Sequence, residues 1–211
     1  MSMNTIDSAK FTTGNHMSAP QDLSKLDEFF LRWRAKGLLF FGMRQQAADV
    51  FREILSRSPN NVHALNSLGY DAVTTGHPAQ ALPYFEKALA LTPENSNSHF
   101  NFAFVCETLG RLDDAEREFR AAIAIEEKMD RAWYGLGLVL IRQRRFDEAL
   151  VALKRNSELQ PMSPFAWYQM ARVYMLQEEP DKARQVIRHL KGFEPKVAAQ
   201  LERETGLQVS L

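Results

Sequence analysis

The 211-residue chain has one cysteine, Cys106, so no disulfide can close within it and no cysteine cluster can hold a metal. It has no surplus of either charge: 26 basic and 26 acidic side chains cancel. Composition therefore gives no push towards nucleic acid or an anionic membrane. No run approaches the ~20 apolar residues that cross a bilayer. The opening MSMNTIDSAKFTTGNHMSAP lacks the apolar block of a signal peptide. Residues 1–27 are expected to form a flexible N-terminal segment, because the stretch is mostly small and polar. From these absences follows the expectation of a cytoplasmic protein without membrane insertion.

What is present is a folded composition. At 45% hydrophobic and 25% charged, the chain is too apolar for general disorder. The apolar residues are also periodic over a long distance. Phe51, Phe85, Phe119, Leu153 and Ile187 stand 34 residues apart, as do Ala47, Ala81, Ala115, Ala149 and Ala183. Pro59, Pro93, Pro161 and Pro195 keep the same step, with Glu127 in the missing place. Gly42, Gly76 and Gly110 mark a turn whose later copies fall on Arg144 and Glu178. Five abutting units result: 28–61, 62–95, 96–129, 130–163 and 164–197, followed by a cap and tail over 198–211.

Each unit holds two segments of about 14 residues with apolar spacing i, i+3, i+4, i+7, which predicts a helical hairpin. The small slots Ala35, Gly69, Ala103, Gly137 and Ala171 allow the two helices to approach closely. One hairpin cannot bury its apolar face alone, so each leans on the next. KVAAQLERET, from residue 196, predicts a final amphipathic helix over the last apolar face, with Gly206 as its stop. Three positions fit poorly. The first unit has Arg34 where a leucine is usual and Gly37 inside its helix. Pro83 falls within a helix, which predicts a kink facing solvent.

These units resemble the tetratricopeptide repeat, whose signature is W-x2-L-G-x2-Y, then A-x3-F, then P. WYGLGLVL carries Trp133, Leu136, Gly137 and Leu140 in the first slots; WYQMARVY carries Trp167, Met170, Ala171 and Tyr174. The resemblance implies an all-α fold: a right-handed superhelical solenoid of antiparallel helix pairs, whose first helices line a concave face.

No catalytic constellation emerges, and none for a cofactor or a metal. The motif GLG at 135–137 lies inside a predicted helix and reads as packing. The five histidines lack the i, i+4 pairing of a helical metal site, and Cys106 falls in a core column. RQRRFDEALVALKR is the densest basic stretch, but Asp147 and Glu148 interrupt it, so no nucleic acid is expected. Charge is segregated along the chain: residues 62–129 carry 5 basic and 10 acidic side chains, residues 130–197 carry 12 and 8. Such a dipole could orient a partner or support self-association.

The resemblance therefore directs attention to the concave face. The candidate groove comprises Asn66, Tyr70, Asn101, Arg131, Tyr134, Leu138, Tyr168, Gln169 and Arg172. Rings supply rigid contact area and asparagine pairs with an extended backbone. Some relatives clamp a terminal carboxylate with a Lys/Asn/Asn/Lys/Arg set; here Tyr70 and Gly135 replace expected polar members. The expected function is a non-enzymatic scaffold that binds a protein or peptide. A dedicated chaperone, of the kind that serves bacterial secretion, and a regulatory subunit of an enzyme are the alternatives.

Overall fold

The computed structural model describes residues 24–210. They form eleven α-helices and no strand: α1 (Lys25–Phe40), α2 (Arg44–Arg57), α3 (Val62–Thr74), α4 (Pro78–Leu91), α5 (Ser96–Thr108), α6 (Leu112–Ile125), α7 (Asp130–Arg142), α8 (Phe146–Leu159), α9 (Pro164–Leu176), α10 (Pro180–Lys191) and α11 (Pro195–Thr205). Each helix packs on the next in the chain, and α11 packs on both α9 and α10. The chain is an all-α superhelical solenoid. Among the described residues no helix is long and apolar enough to cross a membrane.

Local chemistry sets the starts and stops. The side chains of Ser24, Asn61 and Asn95 accept hydrogen bonds from free amides in the first turns of α1, α3 and α5. Proline opens α4, α9, α10 and α11, where its missing N–H costs nothing. The turn within each pair needs a left-handed residue. Gly42, Gly76 and Gly110 take it with φ of 74°, 83° and 78°, and Arg144 and Glu178 take it with φ of 62° and 61°. The last two carry a side chain where the backbone disfavours one. Gly206 ends α11 in the same conformation.

The core runs the length of the array. Phe51, Phe85, Phe119, Leu153 and Ile187 are all at most 4% exposed. The small slots are required by contact: a Cβ on Gly137 would lie 2.8 Å from the Leu153 side chain, and one on Gly69 2.7 Å from Phe85. Gly135 is equally constrained, by the Phe119 ring at 2.4 Å. Cys106 is fully buried in the same core. Pro83 faces solvent and α4 continues through it.

Two expectations are corrected at the ends. Residues 25–27, assigned above to the flexible segment, are the first turn of α1, because Ser24 caps it through the Asp27 amide at 3.1 Å. The last helix begins at Pro195, one residue ahead of the expected Lys196, because proline suits the first helical position. The expectation for residues 1–23 lies outside the described residues.

The concave face as candidate binding groove

The nine groove candidates divide into two neighbourhoods. Asn66 on α3 and Asn101 on α5, both half-buried, are joined side chain to side chain: the Asn101 Nδ2 donates to Asn66 Oδ1 at 3.2 Å. Tyr70, one turn further along α3, is 56% exposed. Arg131 reaches back from α7 to α5. Its guanidinium lies 4.3 Å above the Phe100 ring and donates to Asn97. A stacked guanidinium keeps its charge while its carbon face is covered.

The second neighbourhood is built by α7, α9 and α11. Tyr134 is half-buried, edge-on to Phe165 at 6.4 Å, and packs against the Leu153, Ala166 and Met170 core. Leu138 and Gln169 are half-buried beside it in sequence register. Tyr168 donates its hydroxyl to Glu204 on α11 at 2.6 Å, and Arg172 lies 5.8 Å from its ring. The bond to Glu204, then burial, raises the Tyr168 phenol above its ordinary range. The same hydroxyl, with Gln200, holds the Glu204 carboxyl below its own. The two tyrosines thus have different partners: Tyr134 turns to Phe165 and Tyr168 to the C-terminal helix. At the end of α7, Arg142 donates to the Glu107 carboxylate at 2.6 Å and to its carbonyl at 2.7 Å.

One feature beside Tyr70 was not legible in advance. A cavity of about 380 Å³ opens where α1, α2 and α3 meet, floored by Ala47, Ala48 and Phe51 and edged by Arg44, Tyr70 and Asp71. The reason lies in two columns. Ala48 stands where the next unit has Leu82, and Asp71 where the following three have Val105, Val139 and Val173. The smaller or polar residue leaves the gap unfilled. Comparison of those columns carries the signal; the periodicity of a single unit does not. Glu204 was missed because its link to Tyr168 depends on how α11 folds back.

Among the described residues the titratable groups form no poised nucleophile or metal site. Burial pushes the Cys106 thiol up to about 11, so it stays protonated near neutral pH. His99 is held between Glu118 at 2.7 Å and the Pro93 carbonyl at 2.8 Å. Burial, then Arg32 and Lys36, lowers His63. Among the described residues no three His, Cys, Asp or Glu side chains are grouped to hold a metal ion.

Residues 65–194 match the family described as the cilia and flagella-associated protein 70 middle TPR-like domain. No curated protein matches the sequence. Among solved structures, MamA from Desulfovibrio magneticus RS-1 superposes with a TM-score of 0.71 at 19% identity, over 83% of this chain and 95% of that one. YrrB, described as a TPR protein with an unusual peptide-binding site, superposes at 0.68 with 22% identity, over 80% and 88%. PilF of Pseudomonas aeruginosa gives 0.67 and 22%, over 84% and 89%. At these identities the likeness is one of fold.

Proposed function

The chain belongs to the family of the cilia and flagella-associated protein 70 middle TPR-like domain, and with it to the tetratricopeptide repeat proteins; from that premise we propose that it is a non-enzymatic scaffold holding an extended segment of a partner protein in its concave groove. The observation that carries this reading is the run of aromatic, arginine and asparagine side chains from α3 to α9. Arg131 stacks on Phe100, the Asn66–Asn101 pair lies to one side, and Tyr134 and Tyr168 lie to the other. Aromatic and arginine residues dominate binding energy where they are rigidly held. The Arg131 and Arg172 charges favour a ligand with a carboxylate near its apolar anchor. YrrB, a TPR protein with a peptide-binding site, supports the class of ligand.

The test begins with peptides selected from a random display library on the intact protein. Tyr134→Ala combined with Arg131→Ala is then expected to weaken the selected peptides by on the order of a hundredfold. Tyr168→Phe keeps the ring and releases only Glu204, so it separates contact from support by α11. Thermal melting on the same variants shows whether the fold is intact. Unchanged affinity in a folded Arg131/Tyr134 double variant moves the binding site off the concave face.

A further inference from the structure

The first helix exposes what later units bury. Ala64, Ser98, Ala132 and Ala166 occupy one column and are 0–2% exposed, whereas Phe30 in the same column is 61% exposed. Leu68, Phe102, Leu136 and Met170 are 2–7% exposed, whereas the side chain of Arg34 in their column is 64% exposed. In the later units the second helix of the preceding pair covers these columns; α1 has no such helix among the described residues. A regular repeat does not fit there. The internal column needs Ala or Ser for close approach, and Phe30 fills that space.

The open surface is a defined stripe. Leu26, Phe30, Trp33, Gly37 and Phe40 follow one another at steps of 4, 3, 4 and 3 along α1. This is the a/d spacing of a two-helix seam. The four apolar members are 59–84% exposed, and a Cβ on Gly37 would meet nothing within 4 Å. With Phe29 and Phe41, α1 and its C-cap present five exposed rings. At ~200 Å² per aromatic side chain they expose roughly 650 Å², near the ~800 Å² that each partner contributes to a standard interface.

The flanking charges select the occupant. Asp27 and Arg34 lie two turns apart on one side of the seam, and Phe29 and Lys36 lie on the other. In an antiparallel pair, like flanks meet. With Leu26 opposite the Gly37 position of a second helix, Phe30 faces Trp33, Asp27 faces Arg34, and Phe29 faces Lys36, each twice about a two-fold axis. A parallel pairing creates no opposite-charge contact from these positions. Asp27 and Arg34 are exposed for such contacts: among the described residues their ion pairs, with Arg57 and Glu53, are long at 3.9 Å, and Asp27 otherwise accepts from the Ser24 hydroxyl at 2.7 Å. Head-to-tail stacking is excluded because α11 and the tail close the other end, where Leu201, Leu207 and Val209 are buried.

We infer that α1 forms an antiparallel seam with α1 of a second copy, giving a closed two-fold dimer joined at the N-terminal ends. The two otherwise misfitting residues then have roles: Gly37 admits Leu26 of the other copy, and Arg34 fixes the register.

Sedimentation equilibrium on the full chain, with circular dichroism as the folding check, tests the pairing. The intact chain is expected to be a dimer. Asp27→Arg and Arg34→Asp, each alone, place like charges together and weaken association by on the order of tenfold or more. The combined Asp27→Arg/Arg34→Asp chain regains the dimer, which a general loss of solubility or of helix would not do. A monomeric intact chain overturns the inference, as do single swaps without effect or a double swap without rescue. If a chain lacking residues 1–23 dimerises while the full chain does not, that segment is the occupant and the inference fails. If the intact chain is monomeric and sediments with phosphatidylserine vesicles through α1, the stripe is a lipid surface and the inference fails likewise.

Discussion

The two ends of the solenoid treat the same periodic pattern in opposite ways. At the C-terminal end α11 lies across α9 and α10 and buries Ala198 and Leu201, while the tail after Gly206 returns to bury Leu207 and Val209. That return is fixed by charge: Lys191 pairs with Glu202 at 2.9 Å, and Glu202 also accepts from the Val209 amide at 2.7 Å. These two contacts hold the Glu202 carboxyl below its usual range. At the N-terminal end no helix covers the equivalent surface of α1 among the described residues, with Phe30 61% and Phe40 84% exposed. A repeat array needs both ends covered, because each hairpin is only half a core. The difference between the ends separates an intramolecular cap from a surface shaped for something else.

Removing the cap is the most severe way to erase the difference. Deleting residues 195–211 uncovers the faces of α9 and α10 beneath Leu201, Leu207 and Val209. With ~1.5–3 kcal/mol for each large buried side chain, the expected loss is on the order of 5 kcal/mol, with aggregation. A truncated chain that melts at the original temperature and stays in solution would show that the C-terminal end needs no cover.

A milder test compares one ring from the interior with one from the open end. Phe119 is 1% exposed, 5.8 Å from Phe100, and sits against Gly135. Phe119→Ala should cost about 3–5 kcal/mol in chemical denaturation. Phe30→Ala, made in the Arg34→Asp background to remove any contribution from association, should cost within about 0.5 kcal/mol. Equal costs would mean that Phe30 is covered within the monomer.

The smallest expected effect concerns the turns. Gly42, Gly76 and Gly110 meet the left-handed requirement without a side chain, whereas Arg144 does not. Relieving about 1–2 kcal/mol of left-handed strain, against the ~0.5–1 kcal/mol entropic cost of glycine, leaves Arg144→Gly stabilising by roughly 0.5–1 kcal/mol. The same change at Gln143, just before it in the ordinary helical region, should destabilise instead. Denaturant midpoints of the two variants decide.

The 34-residue step was enough to place the ten helices of the five repeats, because a repeat of fixed length leaves the chain one way to bury Phe85, Phe119 and their column. The turn residues were equally legible, since glycine recurs where the backbone needs positive φ. The candidate groove could be written from the sequence as a list of positions but not as a surface. Asn66 and Asn101 lie 35 residues apart, and their hydrogen bond exists only because α3 and α5 come side by side. Asp71 reads as an ordinary polar residue until the valines of the later units are seen to fill the space it leaves.

The sequence by itself settled what repeats, where each helix turns and which residues are small enough to be crossed. Those are properties of single residues and their spacing, and they act within one hairpin and its neighbour. Only the tertiary structure decided which copies of a repeated position are covered. Phe30 and Ala64 share a column, but burial depends on whether another helix lies in front, and that is a property of a residue's place in the stack. The tie between Tyr168 and Glu204 has the same origin: the fold of the last helix, and not the pattern of the fifth unit, brings a carboxylate to that hydroxyl.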